Sequence, residues 1–420
     1  MSTKQKVYPW LMILLTGLLM CVMVDTYTGT ISLFLPPLVK SMGASLSVVT
    51  MFFPVMIISM AIAVSQVGSL IQKVNVKWFL AISIIVGGIG SIIISRATNL
   101  IIFYAMAILL GVSSGFTGLV VQGIVINNWF AKRKNFAFSA GSYVQTIYLV
   151  ILTPIINKLI QSIGWRSSFL VLSMLTLVIG IPSALFIRLR PADIGLKPYG
   201  YDPKNLQQSQ QSSNNKQVKI PKRAIIFSVA FFITLLFFIS IQFASNVLQL
   251  FPTFALAVGF GPTISGMMPT IQTASDIVIT PLFGVTTEKW GGKKALPFWA
   301  IVGITSMILL IISNNMHQVT FALIAAGLAD IFTVLLGPGL QVFAREMFSG
   351  ESFDLGMSYA GSVSYVVGAF AVPALSRIYE ATKNFNNVFY FVIALLVLVI
   401  ILIWIGSKNT FVFKVNKNEK

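Results

Sequence analysis

Three aspartates, Asp25, Asp276 and Asp330, lie inside long apolar runs. A carboxylate at a helix centre in a bilayer costs ~2.5–3.5 kcal/mol on insertion scales, so a chain that keeps one there supplies a partner, water or a proton. No Lys or Arg lies comparably deep in these runs. The chemistry to expect is therefore protonation of a carboxyl and recognition of a polar solute, because a buried acid is cheaper to carry neutral than bare. Polar residues recur beside each acid at helical spacing. Thr28 and Ser32 follow Asp25, Thr273 and Thr280 flank Asp276, and Thr333 and Gly337 follow Asp330. Gln242, Asn246 and Gln249 repeat the spacing in another run. Such stripes fall on one helix face, as a cavity lining would. The alternative for each is a bond to a hydroxyl, amide or backbone group between packed helices.

Other chemistry lacks its residues. His317 is the single histidine and Cys21 the single cysteine, so neither a zinc set nor an internal disulfide can be assembled. No Gly-x-x-x-x-Gly-Lys-Ser/Thr phosphate loop occurs, and dispersed acids make no catalytic cluster. The expectation is a protein that is not an enzyme and needs no cofactor or metal.

The elements that must position these residues are membrane helices. Of 420 residues 56% are hydrophobic and 10% charged, against about 25% charged in a soluble domain. Such a chain cannot cover itself with polar surface, which excludes a water-soluble enzyme, a disordered protein and a disulfide scaffold. Twelve runs are long enough to span, at about 10–34, 46–70, 78–95, 100–128, 137–157, 167–188, 223–250, 262–286, 295–313, 319–344, 355–376 and 387–407. Residues 191–222 are the sustained polar stretch, read as a linker between two six-helix halves, 1–190 and 223–420.

The net charge of +18 would suggest nucleic acid in a soluble protein. With both ends placed in the cytoplasm, however, 23 of the 29 basic residues fall on that side, and Lys40, Arg96, Lys158, Arg166, Arg377 and Lys383 on the other. The charge is thus a topology signal. The expected partners are a small-molecule solute, protons or a counter-transported ion and the lipid bilayer, not nucleic acid. The expected setting is the plasma membrane, with both termini cytoplasmic and the chain monomeric.

The halves echo each other. Leu35-Pro36 recurs as Phe251-Pro252 and Gly68 as Gly284, both 216 residues on, and Ala140-Gly141-Ser142 recurs as Ala360-Gly361-Ser362, 220 on. After the eighth run the chain reads Gly284-Val-Thr-Thr-Glu288-Lys289-Trp-Gly291-Gly292-Lys293-Lys294, and after the second it keeps Gly68 and Lys73 of the same pattern. This resembles the signature of the major facilitator superfamily, with Glu in the Asp position. Asn128-Trp129-Phe130, Gly164-Trp165-Arg166 and Arg190-Pro191-Ala-Asp193 resemble its oxalate/formate antiporter and monocarboxylate transporter branch.

The resemblance implies an all-α membrane protein of twelve helices in two pseudo-symmetric bundles, working by alternating access. It implies that Glu288 and Lys289, in a loop with Gly284, Lys293 and Lys294, latch neighbouring helix ends, with Gly68 and Lys73 as the first-half counterpart. It also implies a secondary active transporter of a small organic solute, an organic acid or anion foremost, and the buried acids add the expectation of proton coupling. The chain departs from the monocarboxylate pattern in carrying Thr280, not Arg, one turn after Asp276, and in having no Lys inside the first run. That keeps open an exporter or antiporter of a cationic or amphiphilic compound, and a non-transporting sensor.

Overall fold

The computed structural model describes residues 3–71, 73–201, 222–348 and 352–409. Most of the stretch read as a linker, 202–221, lies outside them. Among the described residues ten helices are long and apolar enough to cross a membrane. In the first half they are α1 (Val7–Gly29), α2 (Leu46–Leu70), α3 (Val76–Ser95), α4 (Leu100–Trp129) and the merged run Phe136–Phe186. Gly164 breaks that run with φ 78° and ψ 163°, which a side chain would resist, so it is two rods, α5 (136–163) and α6 (165–186).

The second half holds α7 (Val229–Val258), α9 (Gly292–Met316), α10 (Val319–Met347), α11 (Leu355–Thr382) and α12 (Phe385–Gly406). Gly261–Trp290, here α8, is long enough at 30 residues but more polar than those ten. Twelve rods result. Among the described residues there is no strand, only an isolated bridge between Phe130 and Tyr199. The chain divides into two compact units, Met1–Asn215 and Lys216–Lys420.

Helix starts follow from local chemistry. Asn75, Asn99, Ser228 and Asn384 each accept a backbone N–H of the first turn, capping α3, α4, α7 and α12. The stretch expected to be a loop after α8 is instead helical through Trp290, and α9 begins at Gly292. Gly291 alone makes the joint, at φ 74°. The reason is local: Thr286 and Thr287 return their hydroxyls to the carbonyls of Leu282, Phe283 and Gly284, and nothing between Gly284 and Trp290 breaks a helix.

Within the first unit the small residues of α4 serve packing. A β-carbon on Gly111 would collide with the carbonyl oxygen of Met56, and one on Gly115 would lie 2.6 Å from that of Met60, so α4 lies close on α2. The motif residues at the ends of α4 and α6 form a knot. Asn128 donates to the Leu189 carbonyl at 3.0 Å and the Trp129 indole to that of Arg188 at 2.8 Å. Arg166 pins the start of α6 to the end of α3, reaching the carbonyls of Ser95 and Ala97 at 3.2 and 2.9 Å.

Among the described residues α1, α4, α7 and α10, every third helix, are interrupted, and so is α11. α1 has a π-helical turn at Cys21–Asp25, α4 breaks at Gly118, α7 passes through a 3-10 turn at Asn246–Leu250, and α10 turns at Asp330 before a π-helical turn at Leu335–Gly339. α11 has a further break at Phe370. Irregular backbone at membrane depth is tolerated only where protein groups or a polar cavity satisfy the freed N–H and C=O. These interruptions therefore mark where polar contacts must gather.

Candidate functional site

In the second unit the contacts gather on α8 and α10. Asp276 is the sixteenth of the 30 residues of α8, near its middle. Asp330 sits at the turn of α10 and is fully buried. The Gln272 side chain on α8 donates to Asp330 Oδ1 at 2.7 Å, and the same amide nitrogen lies 3.2 Å from Thr333 Oγ1. Asp330 Oδ2 is buried with no hydrogen-bond partner among the described residues. Four residues after Gln272, and so on the same face, stands Asp276, which accepts the Thr280 hydroxyl. Asp276 lies within electrostatic reach of Asp330. Two acids and an amide thus face one another across two helices. No ion pair to Asp330 is formed among the described residues.

Gln272 is the residue that sequence reasoning missed. Its signal was present, four positions before Asp276, but an uncharged amide in an apolar run costs too little to stand out. Thr273 turns its hydroxyl back to the Pro269 carbonyl at 2.9 Å. On α7, Gln242 is buried with its side chain against Gly368 of α11, and its Nε2 has no hydrogen-bond partner among the described residues. Asn246, opening the 3-10 turn, donates to the Gln242 carbonyl at 2.7 Å. Gln249 lies half-buried in that turn.

The first unit has its own polar centre, at the π-helical turn of α1. The hydroxyls of Thr176 on α6 and Ser114 on α4 donate to the carbonyls of Val22 and Met23 at 2.9 and 2.8 Å. Thr26 donates to the Cys21 carbonyl at 2.9 Å and shares a 2.6 Å bond with the Tyr148 hydroxyl of α5. Tyr27 meets Thr176 at 3.0 Å. Asp25 closes this turn. Its Oδ2 is buried with no partner among the described residues, and Tyr148 lies within its electrostatic reach. Thr28 bonds its own helix at Val24. Asp25, Thr26 and Tyr148 therefore form one group within the first unit.

The latch residues are differently placed. Glu288, Lys289, Lys293 and Lys294 are exposed, and Glu288 makes no ion pair among the described residues. Gly284 on α8 and Gly68 on α2 have open space where a β-carbon would stand. Lys73, after α2, is exposed.

The sequence matches the model of the Major Facilitator Superfamily over residues 15–261. The chain belongs to this superfamily. Two proteins of Agrobacterium vitis, each described as a putative tartrate transporter, are 23% and 22% identical to it, the alignments covering 81% of this chain and 80% and 77% of theirs. Monocarboxylate transporter 4 of Mus musculus is 24% identical over 63% of this chain and 55% of its own. Solved structures agree on the fold. A nucleoside transporter matches with a TM-score of 0.70 at 12% identity, covering 95% of this chain and 98% of its own. A D-xylose-proton symporter matches at 0.67 with 16% identity, covering 96% and 97%. The protein is a multi-pass membrane transporter of organic solutes and not an enzyme. Its polar groups lie on α1 in the first unit and on α8 and α10 in the second.

Proposed function

We propose that the protein is a secondary active transporter of a small organic acid, coupled to protons, in the plasma membrane, monomeric and with both termini cytoplasmic. Its halves, 1–190 and 223–420 joined by 191–222, move so that the solute is reached from either side of the membrane in turn. The observation that carries the coupling is Asp330: fully buried, one carboxyl oxygen held by Gln272, the other without a partner among the described residues, and a second acid in reach. A proton arriving at Oδ2 neutralises a charge that no basic residue there balances. Gln272 keeps the carboxyl oriented in either state, since an amide N–H is accepted by both the charged and the neutral form. The names of the relatives support the solute class, since tartrate and monocarboxylates are both organic acids. Binding of an anion here would rest on Gln242, Asn246, Gln249, Thr273 and the proton itself, in place of the Arg that Thr280 replaces. Asp25 would be a second protonation site in the first half, with Thr28 beside it.

A second reading, an exporter or antiporter of a cationic or amphiphilic compound, is favoured by one specific feature: the deep ionisable groups of both centres are acids. Proteoliposomes separate the two. Uptake of labelled tartrate or lactate should rise when the outside is made acidic and collapse with a protonophore. Accumulation of a lipophilic cation against an imposed proton gradient, with no organic-acid uptake, would replace the first reading by the second. Saturable binding without any flux would leave a sensor.

A further inference from the structure

The first unit contains a cavity that the transport reading leaves unused. It lies where the end of α6 meets the start of α1, has a volume of about 230 Å³ and is lined by Tyr8, Leu11, Leu15, Phe186, Arg188 and Ile194, among others. The walls are arranged by depth. Arg188 stands two residues beyond the end of α6, and Tyr8 is the second residue of α1. Leu15 stands seven residues further along α1 than Tyr8, hence ~10 Å deeper at 1.5 Å per residue. Phe186 and Leu11 are exposed, at 65% and 39%, and present apolar surface at the mouth.

The polar end is built around one cation. Nη1 of Arg188 donates to the carbonyls of Leu185 and Ile187 at 3.0 and 3.1 Å, which holds the half-buried guanidinium in place. Nε and Nη2 have no hydrogen-bond partner, and no carboxylate pairs with this Arg, among the described residues. The adjoining segments carry one acid, Asp193, which accepts the Arg190 backbone N–H, and a larger number of basic residues. The chain segments that meet here carry Lys132, Arg133, Lys134, Arg190 and Lys197, tied together by Trp129 bonding the Arg188 carbonyl and by Tyr199 bonding Trp129 and Ala131.

We propose that this cavity binds one anionic phospholipid, its phosphodiester on Arg188 and Tyr8 and an acyl chain along Leu11, Leu15 and Phe186. A free guanidinium edge matches phosphate oxygens in charge and geometry. A phenol and an Arg over an apolar slot about half a leaflet deep match the boundary between headgroup and hydrocarbon. A free inorganic anion would use only the polar end and leave the slot unfilled.

The test uses the purified full chain in detergent, titrated with phosphatidylglycerol, phosphatidylcholine or inorganic phosphate and followed by thermal unfolding and native mass spectrometry. Phosphatidylglycerol should stay bound one to one and raise the melting temperature, with phosphatidylcholine weaker by about tenfold or more. Arg188→Gln should abolish the preference. Leu15→Trp, which fills the slot while leaving Arg188 and its two carbonyls in place, should abolish retention of the lipid; this variant carries the test if Arg188→Gln fails to fold. Equal binding of the two lipids, an equal shift from inorganic phosphate alone, or phosphatidylglycerol retained by Leu15→Trp would each overturn the proposal.

Discussion

A fully buried carboxyl with one oxygen unpartnered among the described residues is a sensitive object, and Asp330 can be tested from both sides. Removing the partner by Gln272→Ala leaves Asp330 Oδ1 without its 2.7 Å bond. Hydrogen bonds to charged groups contribute about 1.5–3 kcal/mol, and a buried acceptor left alone adds its desolvation cost. Gln272→Ala should therefore lower the melting temperature and move the pH profile of uptake. Asp330→Asn should leave expression and solute counterflow intact while abolishing gradient-driven accumulation. Accumulation at the normal level in Asp330→Asn would remove this residue from coupling. In the double variant the effects should be less than additive, since both substitutions act on one bond. The three aspartates were legible in the sequence because acids in apolar runs are costly. The Gln272–Asp330 bond was not, because it spans 58 residues and depends on how α8 and α10 pack.

At the scale of elements, hydropathy gives the number of spans but not their interruptions. A π-helical turn frees carbonyls, and in α1 these are taken by hydroxyls 91 and 154 residues away, on α4 and α6. Such a turn has no local sequence mark: Cys21–Asp25 is an apolar run up to its last residue. The same distance explains why Ser114 and Thr176 went unremarked, since a hydroxyl in a span more often bonds its own helix, as Thr28 and Thr273 do. Interhelical hydrogen bonds in membranes average ~0.6 kcal/mol and reach ~1.7. Ser114→Ala and Thr176→Val together should thus cost about 1–3 kcal/mol, seen as a lower melting temperature, with the loss of each single variant roughly half. No change in the double variant would mean that water satisfies the Val22 and Met23 carbonyls. The loop after α8 was misread for the converse reason. Its glycines and lysines look like a turn, yet only Gly291 leaves the helical region, and the lysines sit on the two helix ends.

Over the whole molecule, each unit carries its own polar group, on interrupted α1 in the first and on α8 with interrupted α10 in the second. On the proposed cycle the protein exchanges between access states, and any contact shifts that equilibrium only by its difference in strength between them. On the proposed cycle Glu288 is a latch that engages in one state. In this structure it is exposed and makes no ion pair among the described residues, so the contact has free energy to gain on engagement. Because α8 is continuous through Glu288 to Trp290, the carboxylate rides on the same rod as Asp276, about 18 Å away along the axis at 1.5 Å per residue. A tilt of α8 would move both ends of that lever together, linking protonation near mid-span to the latch at the helix end. Cys21 is fully buried and is the single cysteine, so a Cys21→Ser background accepts single-cysteine reporters on either face. Glu288→Ala on that background should change the labelling ratio of the two faces, and Asp276→Asn should change it in a manner that Glu288→Ala no longer permits. Independent, additive effects of the two substitutions would show that α8 does not carry the signal as one rigid element.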